Sequence, residues 1–132
     1  MILVDTNVLL DVVTNDATWF DWSRSQLDVG AINETLAIND VIYAELSVRF
    51  DTIERVEIFL SAVGITMLTM PRAALYLAGK VFKRYLLAGG HRNGVLPDFF
   101  IGAHAAVAGI PLLTRDARRY RTYFPTTNLI TP

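Results

Sequence analysis

Met1-Ile2-Leu3-Val4-Asp5-Thr6-Asn7 opens the chain and sets the pattern for the rest of it. Met1–Val4 is a short apolar run of the kind that forms a buried strand. Asp5 follows it directly, and Thr6–Thr14 reads as a helix turning off that strand. The same cadence recurs further along. A helix capped by Asp16 or Thr18 is predicted to reach Val29, with Gly30 as its stop. Thr35–Ile38 is a second strand, and Asn39 or Asp40 caps a helix through Phe50. Asp51–Val63 is a further helix closed by Gly64, and Ile65–Leu68 a third strand. Pro71 opens a long helix that ends at Gly89-Gly90. Beyond a polar loop, His91–Gly94, a helix runs from Pro97 through Ala108, where Gly109 and Pro111 break it. Pro111–Thr114 is a fourth strand, Asp116–Tyr123 a short helix and Asn128–Ile130 a fifth strand. Strands alternating with helices specify an α/β fold. Its central, mostly parallel sheet of four to five short strands is flanked by helices on both faces. Sites in such folds form at the carboxyl ends of strands. That rule singles out Asp5, Asn39–Glu45, Met70–Pro71 and Thr114–Asp116.

The 132 residues are read as one domain spanning 1–132. With 52% hydrophobic and 19% charged residues, the chain is too apolar and too weakly charged for disorder. It contains no cysteine, which excludes disulfide frameworks, zinc–thiolate sites and thiol nucleophiles. The amino terminus has neither the basic region nor the cleavage site of a secretory signal. The longest uncharged stretch, Phe99–Thr114, has 16 residues and is interrupted by Gly109 and Pro111, short of the ~20 that a membrane span needs. A soluble, cytoplasmic protein without a membrane partner is expected. The net charge of −1 hides an asymmetry: residues 1–57 carry eleven acids against three arginines, and residues 58–132 nine bases against two acids. Those two acids are Asp98 and Asp116. A basic half of this kind faces a polyanion or is simply the solvated surface of several helices.

Each of four acids has an ordinary structural explanation. Asp5 and Asp116 follow strands and suit helix N-caps; Asp116 also has Arg119 and Tyr120 at neighbouring helical positions. Asp98 sits in the first turn of an apolar helix, where it meets the helix dipole favourably. Glu45 borders an apolar helix face and has Arg49 at i+4 for an ion pair. Together they read differently, because all four are expected at one end of the sheet. Clustered carboxylates repel one another and call for a cation. An all-oxygen set without cysteine or a suitably spaced histidine favours Mg²⁺ or Mn²⁺ over zinc, and such a site suits phosphoryl chemistry.

The same residues carry a family resemblance. Asp5-Thr6-Asn7-Val8-Leu9-Leu10-Asp11 resembles the opening motif of PIN-domain ribonucleases. Asn39-Asp40-Val41-Ile42-Tyr43-Ala44-Glu45-Leu46 is similar to their second motif, Leu96-Pro97-Asp98-Phe99-Phe100-Ile101-Gly102-Ala103-His104-Ala105 to the third, and Leu112-Leu113-Thr114-Arg115-Asp116 to the fourth. The order is right and nearly the whole chain is covered. Size and motifs are most similar to VapC-type toxins of prokaryotic toxin–antitoxin pairs. The two phenylalanines after Asp98 are bulkier than the pattern leads one to expect. The resemblance implies that Asp5, Glu45, Asp98 and Asp116 are catalytic and ligate one or two Mg²⁺ or Mn²⁺ ions, with Asn7 and Thr114 supporting them from behind. It also implies hydrolysis of RNA, tRNA or rRNA among the substrates, a cognate antitoxin and a homodimer.

Arg115, Arg118, Arg119 and Arg121, with Lys80, Lys83, Arg84 and Arg92, form a basic cluster suited to gripping RNA phosphates. Arg115 and Arg92 are the favoured candidates, and the ordinary alternative is that Arg118 and Arg121 point away and only solubilise. Trp19, Phe20 and Trp22 read first as core packing and second as a groove for an antitoxin segment. His91 and His104 lack metal-ligand spacing, and His104, in an alanine-rich helix, is expected in packing or at a dimer surface. The alternatives are a PIN-fold module that binds protein or RNA without cutting, or a phosphoacceptor receiver domain. The receiver reading wants a late lysine, and the last lysine here is Lys83. A haloacid-dehalogenase phosphatase wants a second Asp where Asn7 stands.

Overall fold

The computed structural model describes residues 1–92 and 94–132. Five strands form one parallel sheet: β1 (Ile2–Val4), β2 (Leu36–Ile38), β3 (Ile65–Met67), β4 (Leu112–Leu113) and β5 (Leu129–Ile130), in the order β3-β2-β1-β4-β5. The helices among the described residues are α1 (Thr6–Val13), α2 (Phe20–Asn33), α3 (Asp40–Ser47), α4 (Ile53–Val63), α5 (Arg72–Leu87), α6 (Leu96–Ala108) and α7 (Arg118–Tyr123). Every residue of β1 and β2 is buried. Alternate strand residues point to opposite sides, so both faces of the sheet centre are covered. Leu3, Val4, Leu36, Ile38, Leu112 and Leu113 are at most 1% exposed, each contributing roughly 1.5–3 kcal/mol of hydrophobic stabilisation.

Local chemistry explains several helix ends. Asn39 caps α3 by accepting the amide of Ile42, and Thr52 caps α4 by accepting that of Arg55. Gly64 and Gly109 close α4 and α6 in the left-handed region, at φ 80° and 66°, where a side chain would be strained. Asp16 accepts the amides of Thr18 and Trp19, a turn that leads into α2. These bonds hold its carboxyl below the usual range.

Gly30 does not stop α2, which continues to Asn33. A Cβ at Gly30 would lie 2.8 Å from a methyl of Leu36, so the glycine serves helix–strand packing and the helix tolerates it. The small residues of α6 act similarly at Gly102, which accommodates the ring of Phe124. Phe99, the first of the two unexpected phenylalanines, is wholly buried among Phe82, Tyr85, Tyr123 and Phe124. It anchors α6 and with it Asp98. The loop His91–Gly94 contains Asn93, which lies outside the described residues. No helix described is long and apolar enough to cross a membrane.

Candidate active site

The winding changes direction at β1: β2 and β3 lie on one side of it, β4 and β5 on the other. This topological switch point opens a crevice at the carboxyl ends of β1 and β4. Asp5 and Thr114 are the residues that follow those strands. Asp5 is only 4% exposed. Its Oδ2 accepts from the Thr114 hydroxyl at 2.8 Å, the Tyr120 hydroxyl at 2.9 Å and the Asn7 amide at 3.3 Å. Among the described residues, the three side-chain donors to this carboxylate all meet Oδ2, and the Thr6 backbone N–H adds a further bond to the carboxylate. Asn7 also donates to Thr114 Oγ1 at 3.2 Å and accepts the Arg115 amide at 3.3 Å. The two strand ends are thereby tied together.

Glu45 arrives from α3. Its Oε1 accepts from the Thr6 hydroxyl at 2.7 Å, and this bond, rather than an ion pair with Arg49, orients it. Asp98 arrives in the first turn of α6, positioned by Pro97 at the helix start, and accepts from Arg119 of α7. Asp5, Glu45 and Asp98 line one cleft of about 410 Å³, with Thr6, Asn7 and Arg49. Asp116 is exposed and does not line it. It borders two basic clefts on the outer side instead, within electrostatic reach of Asp98. Three of the four candidate acids therefore converge, and the fourth is adjacent.

The electrostatics show what the cleft lacks. Burial pushes the Asp5 carboxyl up to about 7, against the pull of its hydroxyl donors, and Asp98 adds repulsion. Glu45 is raised by burial and again by Asp98. Asp98 is raised by burial, with Arg119 opposing. Burial and the surrounding carboxylates drive the Tyr120 phenol well above its usual range, so it stays a donor to Asp5.

A family model described as PIN domain matches residues 2–125. The chain belongs to the PIN-domain family. It matches none of the curated proteins. Its fold is shared with solved structures of low sequence identity. VapBC2 of Rickettsia felis, bound to a promoter DNA fragment, has 19% identity over 100% of this chain and 99% of that one, at a TM-score of 0.75. A toxin–antitoxin complex from Klebsiella pneumoniae has 20% identity over 100% and 98%, at 0.72. VapBC-5 of Mycobacterium tuberculosis has 21% identity over 98% and 97%, at 0.60.

The PIN cleft presents hard oxygen donors and unbalanced negative charge, which fits a divalent cation such as Mg²⁺ or Mn²⁺. Among the described residues, no three acidic or histidine side chains are close enough to cage an ion by themselves.

Several expectations about neighbouring residues change in this PIN domain. Neither Asp5 nor Asp116 caps a helix with its side chain: α1 has no side-chain cap, and the residue preceding α7 is Ala117. Arg119 pairs with Asp98 and Tyr120 with Asp5, not with Asp116. Arg115 has its Nε on Asp11, at 2.8 and 3.0 Å from the two carboxylate oxygens, while Arg92 is exposed. Tyr120, Thr6, Asp11 and Arg119 are the participants that spacing did not reveal. His104 is buried in packing, the first of its two expected places, and its Nδ1 accepts from Asn39 Nδ2 at 3.1 Å. The Asn39 oxygen is already committed to the α3 cap, which assigns the imidazole tautomer. Trp22 packs against the core as expected. Phe20 lines an apolar groove and Trp19 a separate basic cavity.

Proposed function

We propose that this chain is a divalent-metal-dependent endoribonuclease and the toxin of a type II toxin–antitoxin pair. The single observation that carries the chemistry is the gathering of Asp5, Glu45 and Asp98 on one cleft at the switch point of a PIN fold. Asp5 and Asp98 are the metal ligands of first choice, with Glu45 and Asp116 completing the acidic surround. When bound, the ion supplies an activated water and neutralises charge on the phosphodiester. The chain's own side chains prepare the cleft. Thr114, Tyr120 and Asn7 fix the rotamer of Asp5, Thr6 fixes Glu45, and Arg119 restrains Asp98 until substrate arrives. Arg49, on the cleft wall, lies where a substrate phosphate would enter.

The toxin part of this reading is supported by family membership and by the toxin–antitoxin complexes among the structural neighbours. The antitoxin is assigned to the groove of about 710 Å³ bounded by α1, α2 and α4, where Val12, Phe20, Leu27, Ile32, Phe59 and Val63 present apolar surface. That surface suits the apolar face of an amphipathic helix. The working form is read as a cytoplasmic homodimer, which size-exclusion chromatography with light scattering tests.

The deciding experiment incubates purified protein with total cellular RNA. Cleavage in Mg²⁺ or Mn²⁺, its arrest by EDTA and its loss in Asp98→Asn with unchanged circular dichroism are the expected results. Equal cleavage by Asp98→Asn, or full activity in EDTA, would refute the mechanism. RNA binding without cleavage by the wild type would instead favour a non-cutting PIN module.

A further inference from the structure

Beyond the acidic cleft lies a second cavity, of about 550 Å³, whose lining includes Trp19, Arg115, Arg118, Arg121 and Thr131 together with Asp116. That volume is in the range of small-ligand pockets, roughly 300–1,000 Å³. Trp19 is half-buried, with the Arg115 guanidinium 5.7 Å from its ring centroid. Arg115 is anchored through Nε to Asp11, so cation and indole are held together before any ligand arrives. Arg118 and Arg121 have no carboxylate partner among the described residues, and Arg121 touches only the Thr131 hydroxyl, at 3.4 Å. Arg115 covers part of the Trp19 ring and Trp22 meets it edge-on, while the unpaired Arg118 and Arg121 share the cavity lining. An aromatic ring and free guanidinium groups in one cavity is the chemistry that receives a nucleotide, the base stacking on the ring surface that Arg115 leaves open and the phosphate taking the free arginines. Asp116 borders this cavity and interacts with Asp98, which sets the cavity next to the acids.

We propose that this cavity is the subsite for a nucleotide flanking the scissile phosphodiester, with Trp19 as its stacking platform and Arg118 and Arg121 as its phosphate grip. The proposal rests on the ribonuclease reading above and deepens it. A base must leave its own stack to lie on Trp19, so the substrate is single-stranded at that position.

The test uses a 5′-fluorescein-labelled mixed-sequence octaribonucleotide and the full chain in EDTA, with anisotropy as the readout. Trp19→Ala is expected to weaken binding about tenfold, and Trp19→Phe, which keeps a stacking face, about threefold or less. Arg118→Gln/Arg121→Gln should make the logarithmic salt dependence shallower by about 0.7 for each phosphate no longer gripped. A fully paired RNA duplex should bind wild type and Trp19→Ala alike. Unchanged affinity in Trp19→Ala together with an unchanged salt slope in the arginine double variant overturns the subsite. If Trp19→Ala is misfolded by circular dichroism, Trp19→Phe and the arginine variant decide in its place. A parallel cleavage assay in Mg²⁺ separates the two readings. Wild-type cleavage with unaltered kcat/KM in these variants removes the subsite and leaves the nuclease standing. No wild-type cleavage removes both. Loss of antitoxin binding rather than RNA binding in Trp19→Ala also overturns the proposal, by reassigning the cavity to a protein partner.

Discussion

Two aspartates at either end of α1 are buried to nearly the same degree and are treated in opposite ways. Asp11, 2% exposed, is closed off: both its oxygens meet Arg115 Nε and one also accepts from Ser23 at 2.7 Å. Its charge is neutralised inside the chain. Asp5, 4% exposed, receives only neutral donors among the described residues: the side chains of Thr114, Tyr120 and Asn7 on Oδ2, and the Thr6 backbone N–H. Its carboxyl is pushed up to about 7 by burial. A buried carboxylate without a cation is costly. The fold thus supplies a positive partner to Asp11 and only neutral donors to Asp5 at the switch point, which is where the proposed cation would act.

The largest expected effect comes from Asp5→Asn. Cleavage should fall by on the order of 10²–10³-fold, the scale of losing one preorganised charge-stabilising group. Stability should move the other way. The folded pKa of Asp5 lies above the unfolded value, so the stability linked to its proton is present below pH ~4 and lost as pH rises through about 7. In metal-free buffer at pH 8 the Asn variant should therefore unfold at higher urea than the wild type, with no such gain at pH 4. Mn²⁺ should raise the Tm of the wild type more than that of the variant. A variant less stable than wild type at pH 8 would mean that Asp5 is as well compensated as Asp11.

Asp11→Asn should do the reverse, costing about 1–3 kcal/mol in urea unfolding. Arg115 is left half-buried without its partner, and its partial exposure keeps the loss below that of a fully buried pair. An Asp11→Asn protein as stable as the wild type would show that the pair is not structural. Tyr120→Phe probes the Asp5 side of the contrast by deleting one donor. Steady-state cleavage should drop about tenfold, the lower end for loss of a group that orients a metal ligand, with the fold intact by circular dichroism. No change in rate would mean that Thr114 and Asn7 suffice. The smallest effect belongs to His104. Burial holds its pKa below 6.5, so its contribution to stability is present above pH ~6.5 and lost as acidification carries pH through the folded value. His104→Gln should flatten the urea midpoint against pH in that interval, relative to wild type; parallel curves would sink the assignment.

Much of the fold was legible in short apolar runs each followed by a capping or acidic residue. β1, β2 and β4 are too buried to carry an alternating pattern, yet their length and the residues that follow, Asp5, Asn39 and, past Arg115, Asp116, identify them. Gly30 misled because a glycine that makes room for Leu36 looks the same in sequence as one that stops a helix. The acids were legible as residue types; their partners were not. Neighbour rules at i+3 and i+4 pair Glu45 with Arg49 and Asp116 with Arg119 or Tyr120. The molecule instead joins Thr6 to Glu45, Asp98 to Arg119 and Asp5 to Tyr120, across as many as 115 positions.

Primary structure alone determined the alternation of strand and helix, the absence of thiol chemistry and the identity of the oxygen donors, because these depend on composition and on spacing within a few residues. Which carboxylate is matched by arginine, which is left beside neutral hydroxyls, and that Asp116 stands outside the cleft were settled by tertiary packing. Strand order and helix approach set the distances on which charge compensation and desolvation depend, and those distances join residues that local spacing does not connect.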